Sequence, residues 1–91
     1  MPYIEKDQRT KYNSLIEDIS DSLNDHGFAG FKSGEVNYVI SSVIWKLFDN
    51  DPSYTNANNL IGVLECVKQE FIRRRLNEYE DKKIIENGDI T

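Results

Sequence analysis

The apolar positions recur at helical spacing through nearly the whole chain, and no stretch shows the alternation of a β-strand. A first stripe, over residues 5–26, consists of Tyr12, Leu15, Ile16, Ile19 and Leu23. Its spacing of three and four residues predicts an amphipathic helix with one face turned to a core. Gly27 directly afterwards is a residue that commonly follows the end of a helix.

A second helix is predicted over residues 34–48. Its core stripe consists of Val36, Val39, Ile40, Val43, Ile44 and Leu47. At about 100° per residue, Tyr38 and Trp45 point away from that stripe, on a side where a surface helix normally carries charge. This helix is therefore either central in the domain or covered by a partner.

A third helix is predicted over residues 55–79. Its stripe consists of Ala57, Leu60, Ile61, Leu64, Val67 and Phe71. Pro52 disfavours helix at the preceding residue, and Ser53 or Thr55 is a suitable N-cap for the helix that follows. Gly62 and Cys66, small residues one turn apart on the reverse side, leave room for the close approach of another helix.

A last helical segment is predicted over residues 80–87, ending at Gly88. Its residues leave open whether it continues the third helix or turns away from it. The pattern as a whole predicts an all-α protein, in which residues 1–91 form a single helical domain of three main helices and a short fourth one. A chain of this size buries a limited share of its surface, and we expect it to form a homo-oligomer.

Composition and charge exclude several classes of protein. The chain has 91 residues, one cysteine and a formal net charge of −5. The single cysteine excludes an internal disulfide and a cysteine-ligated zinc site. No apolar run approaches the roughly 18–20 residues of a membrane span, and the charged N-terminus is unlike a secretory signal. We therefore expect a cytoplasmic protein without membrane contact, and the acidic balance argues against direct binding of nucleic acid.

Several short stretches together resemble a known family. They are Met1-Pro2-Tyr3-Ile4, Val36-Asn37-Tyr38-Val39-Ile40, Pro52-Ser53-Tyr54, Ile61-Gly62-Val63-Leu64-Glu65 and, the most specific, Tyr79-Glu80-Asp81-Lys82-Lys83-Ile84 followed by Glu86-Asn87-Gly88-Asp89. On these the chain is similar to a family of short, functionally uncharacterised proteins of phage and bacterial genomes. The resemblance spans nearly the whole chain, and the loop at residues 28–33 departs from it. It implies a small cytoplasmic protein in a phage context and carries no activity over.

The residues that catalysis or metal binding requires are not arranged for either. Cys66 lies in the middle of a predicted helix and His26, the one histidine, at a helix end, so no nucleophile has a base beside it. Asp49-Asn50-Asp51 begins like a calcium loop, but Tyr54 and Leu60 stand where that loop needs glycine and glutamate. The sequence predicts no catalytic residue, no metal site, no cofactor and no enzymatic activity.

Two features suggest contact with a macromolecule. Tyr38 and Trp45, extended by Tyr54, are residue types favoured as interface anchors. The first helix carries an acidic face that includes Glu17, Asp18 and Asp21 and would steer the protein toward a basic partner surface. We therefore expect a small binding or inhibitory protein that acts on a host protein or defence system. The alternative for the aromatic face is a covering contact within the chain itself.

A separate cationic cluster leaves two further possibilities. The cluster consists of Arg73, Arg74, Arg75, Lys82 and Lys83. It is either a salt-bridged surface or an anion site, and as an anion site it would let an oligomer sequester a small nucleotide messenger. A retained nucleotide in the purified protein would indicate that function. A third possibility, a virion structural or assembly protein, would be indicated by co-purification with particles.

Overall fold

The computed structural model describes residues 4–24 and 30–91. These residues form α1 (Lys6–Leu23), α2 (Ser33–Asn50), α3 (Tyr54–Phe71), a π-helical segment (Ile72–Leu76) and α4 (Asn77–Asn87). No strand occurs among them. The predicted all-α class, with three main helices and a short fourth one, is confirmed.

The chain divides into two compact units. The first, Met1–Asn50, contains α1 and α2, and the second, Asp51–Thr91, contains α3, the π-helical segment and α4. Hydrogen bonds at the helix ends account for where each unit's helices begin and stop.

Glu5 is the N-cap residue of α1, and its backbone N–H donates to Gln8 Oε1 at 3.2 Å. The helix ends at Leu23, where the N–H of Asn24 still bonds the Ser20 carbonyl oxygen at 3.0 Å. This end comes three residues before the predicted one. The predicted stop signal, His26 followed by Gly27, lies outside the described residues.

The boundary between α2 and α3 follows from Pro52. Helix α2 extends two residues beyond its predicted end and stops at Asn50, because a residue before proline disfavours helical backbone. Ser53 then caps α3, since its Oγ accepts the N–H of Asn56 at 3.0 Å. The Asn56 side chain donates back to the carbonyl oxygen of Asp51 at 2.8 Å. Ser53 is thus the cap, and Thr55 lies inside the helix.

The helical run of the second unit is continuous from Tyr54 to Asn87. Phe71 and Asn77, on either side of the π-helical segment, both have right-handed helical backbone, and the N–H of Asn77 bonds the carbonyl oxygen of Ile72, five residues earlier. The last segment therefore continues the third helix, which the sequence left open. Gly88 ends the run as predicted, with φ of +84° and an N–H bond to Ile84 at 2.8 Å.

The predicted core stripes are not enclosed. No described residue is buried, and Leu15, Ile40 and Phe71 are all exposed although each belongs to a predicted stripe. Only some stripe residues, among them Leu23, Val39 and Leu60, reach half-burial. No closed core therefore forms within either unit, because one helix or a pair of helices is too few to surround an apolar face.

We expect Ser53→Ala to destabilise the second unit by about 1 kcal/mol, because the N–H of Asn56 loses its acceptor at the helix start. Thermal unfolding followed by circular dichroism measures the change. Thr55→Ala is the matched control: it removes a hydroxyl two residues later, inside the helix, where alanine is the better helix former. Equal losses in both variants would contradict the assignment of Ser53 as the cap.

Candidate functional site

A groove of about 480 Å³ lies between α1 and α2 in the first unit. It is lined from α1 by Asp18, Ile19, Ser22 and Leu23, and from α2 by Gly34, Glu35, Tyr38 and Val39. Three of these residues, Ile19, Leu23 and Val39, supply aliphatic surface. The groove is thus an apolar depression with polar groups contributed by both helices.

The charged residues of the groove are of one sign. Asp18 comes from α1 and Glu35 from α2, so each helix places a carboxylate at the groove. No lysine or arginine occurs between Lys11 and Lys32 in the sequence, so no basic side chain of that stretch offsets Asp18. This arrangement favours a ligand that combines an apolar group with a positive charge.

The groove brings together two of the predicted partner-binding residues, Asp18 and Tyr38. Glu17 and Asp21 lie within about 100° of Asp18 around the helix axis, and both are exposed. Trp45 follows Tyr38 by seven residues, which brings it within about 20° of the same side of α2. The first unit therefore carries five of the six predicted partner-binding residues, and two of them line the groove.

The aromatic residues of this surface are open. Tyr38 is 73% exposed and Trp45 is 65% exposed, so no contact within the described part of the first unit covers either ring. Tyr54, the sixth predicted residue, is the first residue of α3 in the second unit and is 92% exposed. Large aromatic surfaces in contact with water are available for burial in a complex.

The cationic cluster is occupied largely by contacts with its own neighbours. Arg73 Nη2 lies 3.0 Å from Oε2 of Glu70, which is three residues earlier on the same helical run. Arg75 donates to the carbonyl oxygen of Arg74 at 3.1 Å. All three arginines lie in the π-helical segment, the irregular stretch of the helical run.

The two lysines of the cluster likewise contact residues of α4. Lys82 lies 3.9 Å from a Glu78 carboxylate oxygen, and Lys83 lies 3.2 Å from one of Glu86. The Lys83 ammonium also lies 5.5 Å from the centre of the Tyr79 ring, a cation–π distance. The contacts described for the Tyr79–Lys83 motif are thus local to one helix.

Sequence reasoning missed Glu35 and Leu23 as groove residues. A signal for Glu35 exists, because Glu35 and Tyr38 are three residues apart and therefore neighbours on a helix. No comparable signal shows which side of α1 faces them, since that depends on the path of the chain between the two helices. The spacing of apolar residues along the chain therefore could not predict the groove.

The described residues form neither a metal-binding group nor a membrane span. Across residues 4–24 and 30–91, no three histidine, cysteine, aspartate or glutamate side chains come together as a metal-binding group. Nor does any helix in those ranges combine the length and the apolar character needed to cross a bilayer.

The family model described as "Domain of unknown function (DUF6899)" matches residues 1–90. The chain belongs to the DUF6899 family. Neither a curated protein nor a solved structure matches it. The expected membership of an uncharacterised family is therefore confirmed for the DUF6899 chain over nearly its full length.

We expect Trp45→Ala to leave the free energy of unfolding within about 0.5 kcal/mol of the unmodified DUF6899 chain, because an exposed side chain loses little packing. Ile44→Ala is the matched control on the same helix. Ile44 is half-buried, and its truncation should cost roughly 1–2 kcal/mol, less than for a fully buried isoleucine. Urea unfolding measures both, and a larger loss for Trp45→Ala than for Ile44→Ala would contradict the exposed position of Trp45.

Proposed function

We propose that this protein is a non-enzymatic binding module that acts by protein–protein contact, with the groove between α1 and α2 as its recognition surface. The observation that carries the proposal is the placement of Tyr38 and Asp18 in one apolar groove. An exposed aromatic anchor beside a carboxylate offers both hydrophobic contact and charge pairing to a single partner segment.

The partner's chemistry follows from the lining of the groove. The aliphatic surface of Ile19, Leu23 and Val39 accepts apolar side chains, and the carboxylate of Asp18 pairs with lysine or arginine. An amphipathic segment with apolar residues on one face and basic residues beside them meets both requirements. The proposed partner is therefore a protein with a basic, partly apolar surface.

Trp45 and the acidic side of α1 extend the contact beyond the groove. Trp45 lies on the same side of α2 as Tyr38, and burial of its large ring would supply affinity. Glu17 and Asp21 lie further from the groove and are exposed, so they act mainly by steering a basic partner and by speeding association. Tyr54 serves as a separate anchor on the second unit.

The biological setting belongs to the same proposal. On the resemblance to phage and bacterial proteins, the chain is phage-encoded, works in the host cytoplasm as a homo-oligomer, and inhibits a host protein or defence system. The mechanism is steric, because a partner surface that is bound to the groove cannot bind the partner's usual ligand at the same time. Carboxylates at the groove would occupy positions on the partner that otherwise hold phosphates.

The nucleotide-sequestering alternative receives less support. Arg73, Lys82 and Lys83 already contact carboxylates, so a phosphate would have to displace those contacts before binding. The net free energy of anion binding would then be only the difference between the phosphate contacts that form and the carboxylate contacts that are lost. The virion-assembly alternative is supported by no particular contact.

A helical peptide with leucine on one face and lysine on the other tests the recognition surface. Trp45 is the one tryptophan of the chain, so its emission reports directly on the surface when the peptide itself contains none. We expect the lysine peptide to shift that emission to shorter wavelength as the ring is buried. The double variant Asp18→Lys/Asp21→Lys should weaken binding at least tenfold at low salt, and less at high salt, because screening reduces charge pairing.

The control separates the groove from the net charge of the chain. Glu80→Lys/Asp81→Lys makes the same change of charge on α4, in the second unit, and should leave the peptide affinity within about twofold of the unmodified protein, because neither residue lines the groove. Equal weakening by both double variants, or equal binding of a peptide with glutamate in place of lysine, would overturn the proposed surface. The test extends to a natural partner in two steps. A protein captured from host lysate is first purified, and its affinity for the two double variants is then compared.

A further inference from the structure

The end of α4 carries an asparagine that is followed directly by glycine. This pair, Asn87-Gly88, lies in the Glu86-Asn87-Gly88-Asp89 stretch, which the proposed function does not use, and the chain contains no second asparagine–glycine pair. Because glycine has no side chain, its backbone nitrogen can approach the side-chain amide carbon of the preceding residue without steric hindrance. The pair is therefore suited to an intramolecular reaction of the asparagine side chain.

One backbone hydrogen bond restrains this pair in the folded chain. Asn87 is the last residue of α4, and Gly88 follows it with φ of +84°, a conformation that favours glycine. The Gly88 N–H donates to the carbonyl oxygen of Ile84 at 2.8 Å and so closes the last turn of the helix. While this bond is made, the Gly88 nitrogen keeps its proton and the backbone of Asn87 stays helical. The reaction therefore requires the last turn to open.

The second unit does little to keep this turn closed. Residues 77–91 are all exposed, and residues 88–91 form neither helix nor strand. Asn87, Gly88 and Ile84 line an open depression of about 360 Å³, so water has access to the asparagine side chain. Exposed helix ends with few apolar contacts open at a low free energy. Opening of the last turn frees the Gly88 nitrogen while the rest of α4 stays folded.

We propose that Asn87-Gly88 is a self-modifying site, at which the asparagine amide becomes a carboxylate without an enzyme. The Gly88 nitrogen loses its proton to hydroxide and bonds to Asn87 Cγ. The Cγ–Nδ2 bond breaks, and the side-chain nitrogen leaves as ammonia with a proton from water, which regenerates hydroxide.

Water then opens the cyclic imide that this step forms. Addition of water at Cγ breaks the new bond to the Gly88 nitrogen and gives aspartate. Addition at the Asn87 backbone carbonyl carbon breaks the original peptide bond and gives isoaspartate, in which the chain runs through the side chain. In both cases one water is consumed and one ammonia is released, with no oxidation or reduction.

The product weakens the end of the helix in two ways. A carboxylate at position 87 adds negative charge beside Glu86 and Asp89, at the negative end of the helix dipole, where it is unfavourable. Isoaspartate also lengthens the backbone by one carbon, which removes the Gly88 N–H from its place opposite the Ile84 carbonyl. The modification is therefore a one-way change that opens the last turn of α4.

Incubation of the purified full chain in mildly alkaline buffer, followed by peptide mapping with mass spectrometry, measures the conversion of each asparagine. We expect Asn87 to convert roughly tenfold or more faster than every other asparagine of the folded chain, and to give separate aspartate and isoaspartate peptides. Conversion of Asn87 at the rate of the other asparagines would overturn the proposal.

Gly88→Ala separates the chemistry of the pair from the opening of the helix end. The added methyl group meets no atom within 4 Å, but φ at this position is positive and strained for alanine, so the variant does not hold the last turn more firmly. Conversion of Asn87 should nevertheless slow by roughly tenfold or more, because the methyl group hinders approach of the nitrogen. Unchanged or faster conversion would contradict the proposed attack by the Gly88 nitrogen.

Asn59→Gly is the matched control for the position of the pair. It places glycine after Asn58, which is exposed like Asn87 but lies inside α3, with helix on both sides. In the folded variant Asn58 should convert more slowly than Asn87, and in concentrated urea the two should convert alike. The same ratio of the two rates with and without urea would overturn the role of the helix end.

Discussion

Burial of apolar stripes is the interaction on which every helix of this chain depends. Isolated helices gain little from backbone hydrogen bonds alone, and full burial of one Leu, Ile or Phe side chain contributes about 1.5–3 kcal/mol. Within each unit most stripe residues are exposed, and no side chain is buried among the described residues. Most of the available hydrophobic stabilisation therefore has to come from contacts that neither unit makes within itself.

Salt bridges cannot take the place of that burial. The ion pairs described in the second unit, such as Lys68 with Glu65 and Arg73 with Glu70, lie one turn apart on one helix. Exposed pairs of this kind contribute about 0.2–1 kcal/mol each and are screened by salt. They stabilise the helix that carries them and do nothing to join helices. The charges thus govern which surfaces can meet, while apolar contact supplies the free energy.

Periodicity and capping chemistry predicted the helices well, because both are local. Ser53 at the start of α3 and Gly88 at the end of α4 act through hydrogen bonds to residues three or four positions away. The groove was not predictable in the same way, since the meeting of Asp18 with Tyr38 depends on how the chain returns between the two helices. Tertiary contacts of that kind leave no periodic trace in the sequence.

The π-helical segment was missed although the sequence contains a signal for it. After Phe71, the apolar residues Leu76 and Tyr79 keep to the stripe only if one position is skipped, and ordinary helical spacing gives Arg75 and Glu78 instead. The stripe predicted for the third helix therefore ends at Phe71, as it would in an uninterrupted α-helix. A shift of hydrophobic phase, followed by further apolar residues, is the pattern that should have indicated an inserted residue.

The same segment bears on how the apolar stripe of the third helix, which ends at Phe71, is continued by Leu76 and Tyr79. A π-turn has poorer hydrogen-bond geometry than the helix on either side of it, so it persists only where something offsets its cost. Among the described residues, the feature that could offset the cost of the π-turn is the alignment of Leu76 and Tyr79 with Phe71. This alignment does not stabilise the helix while all three side chains are exposed. The gain appears only when one partner surface covers the stripe on both sides of the segment. A contact confined to α3 would leave the π-turn without compensation, so the covering element has to extend past Phe71 onto α4.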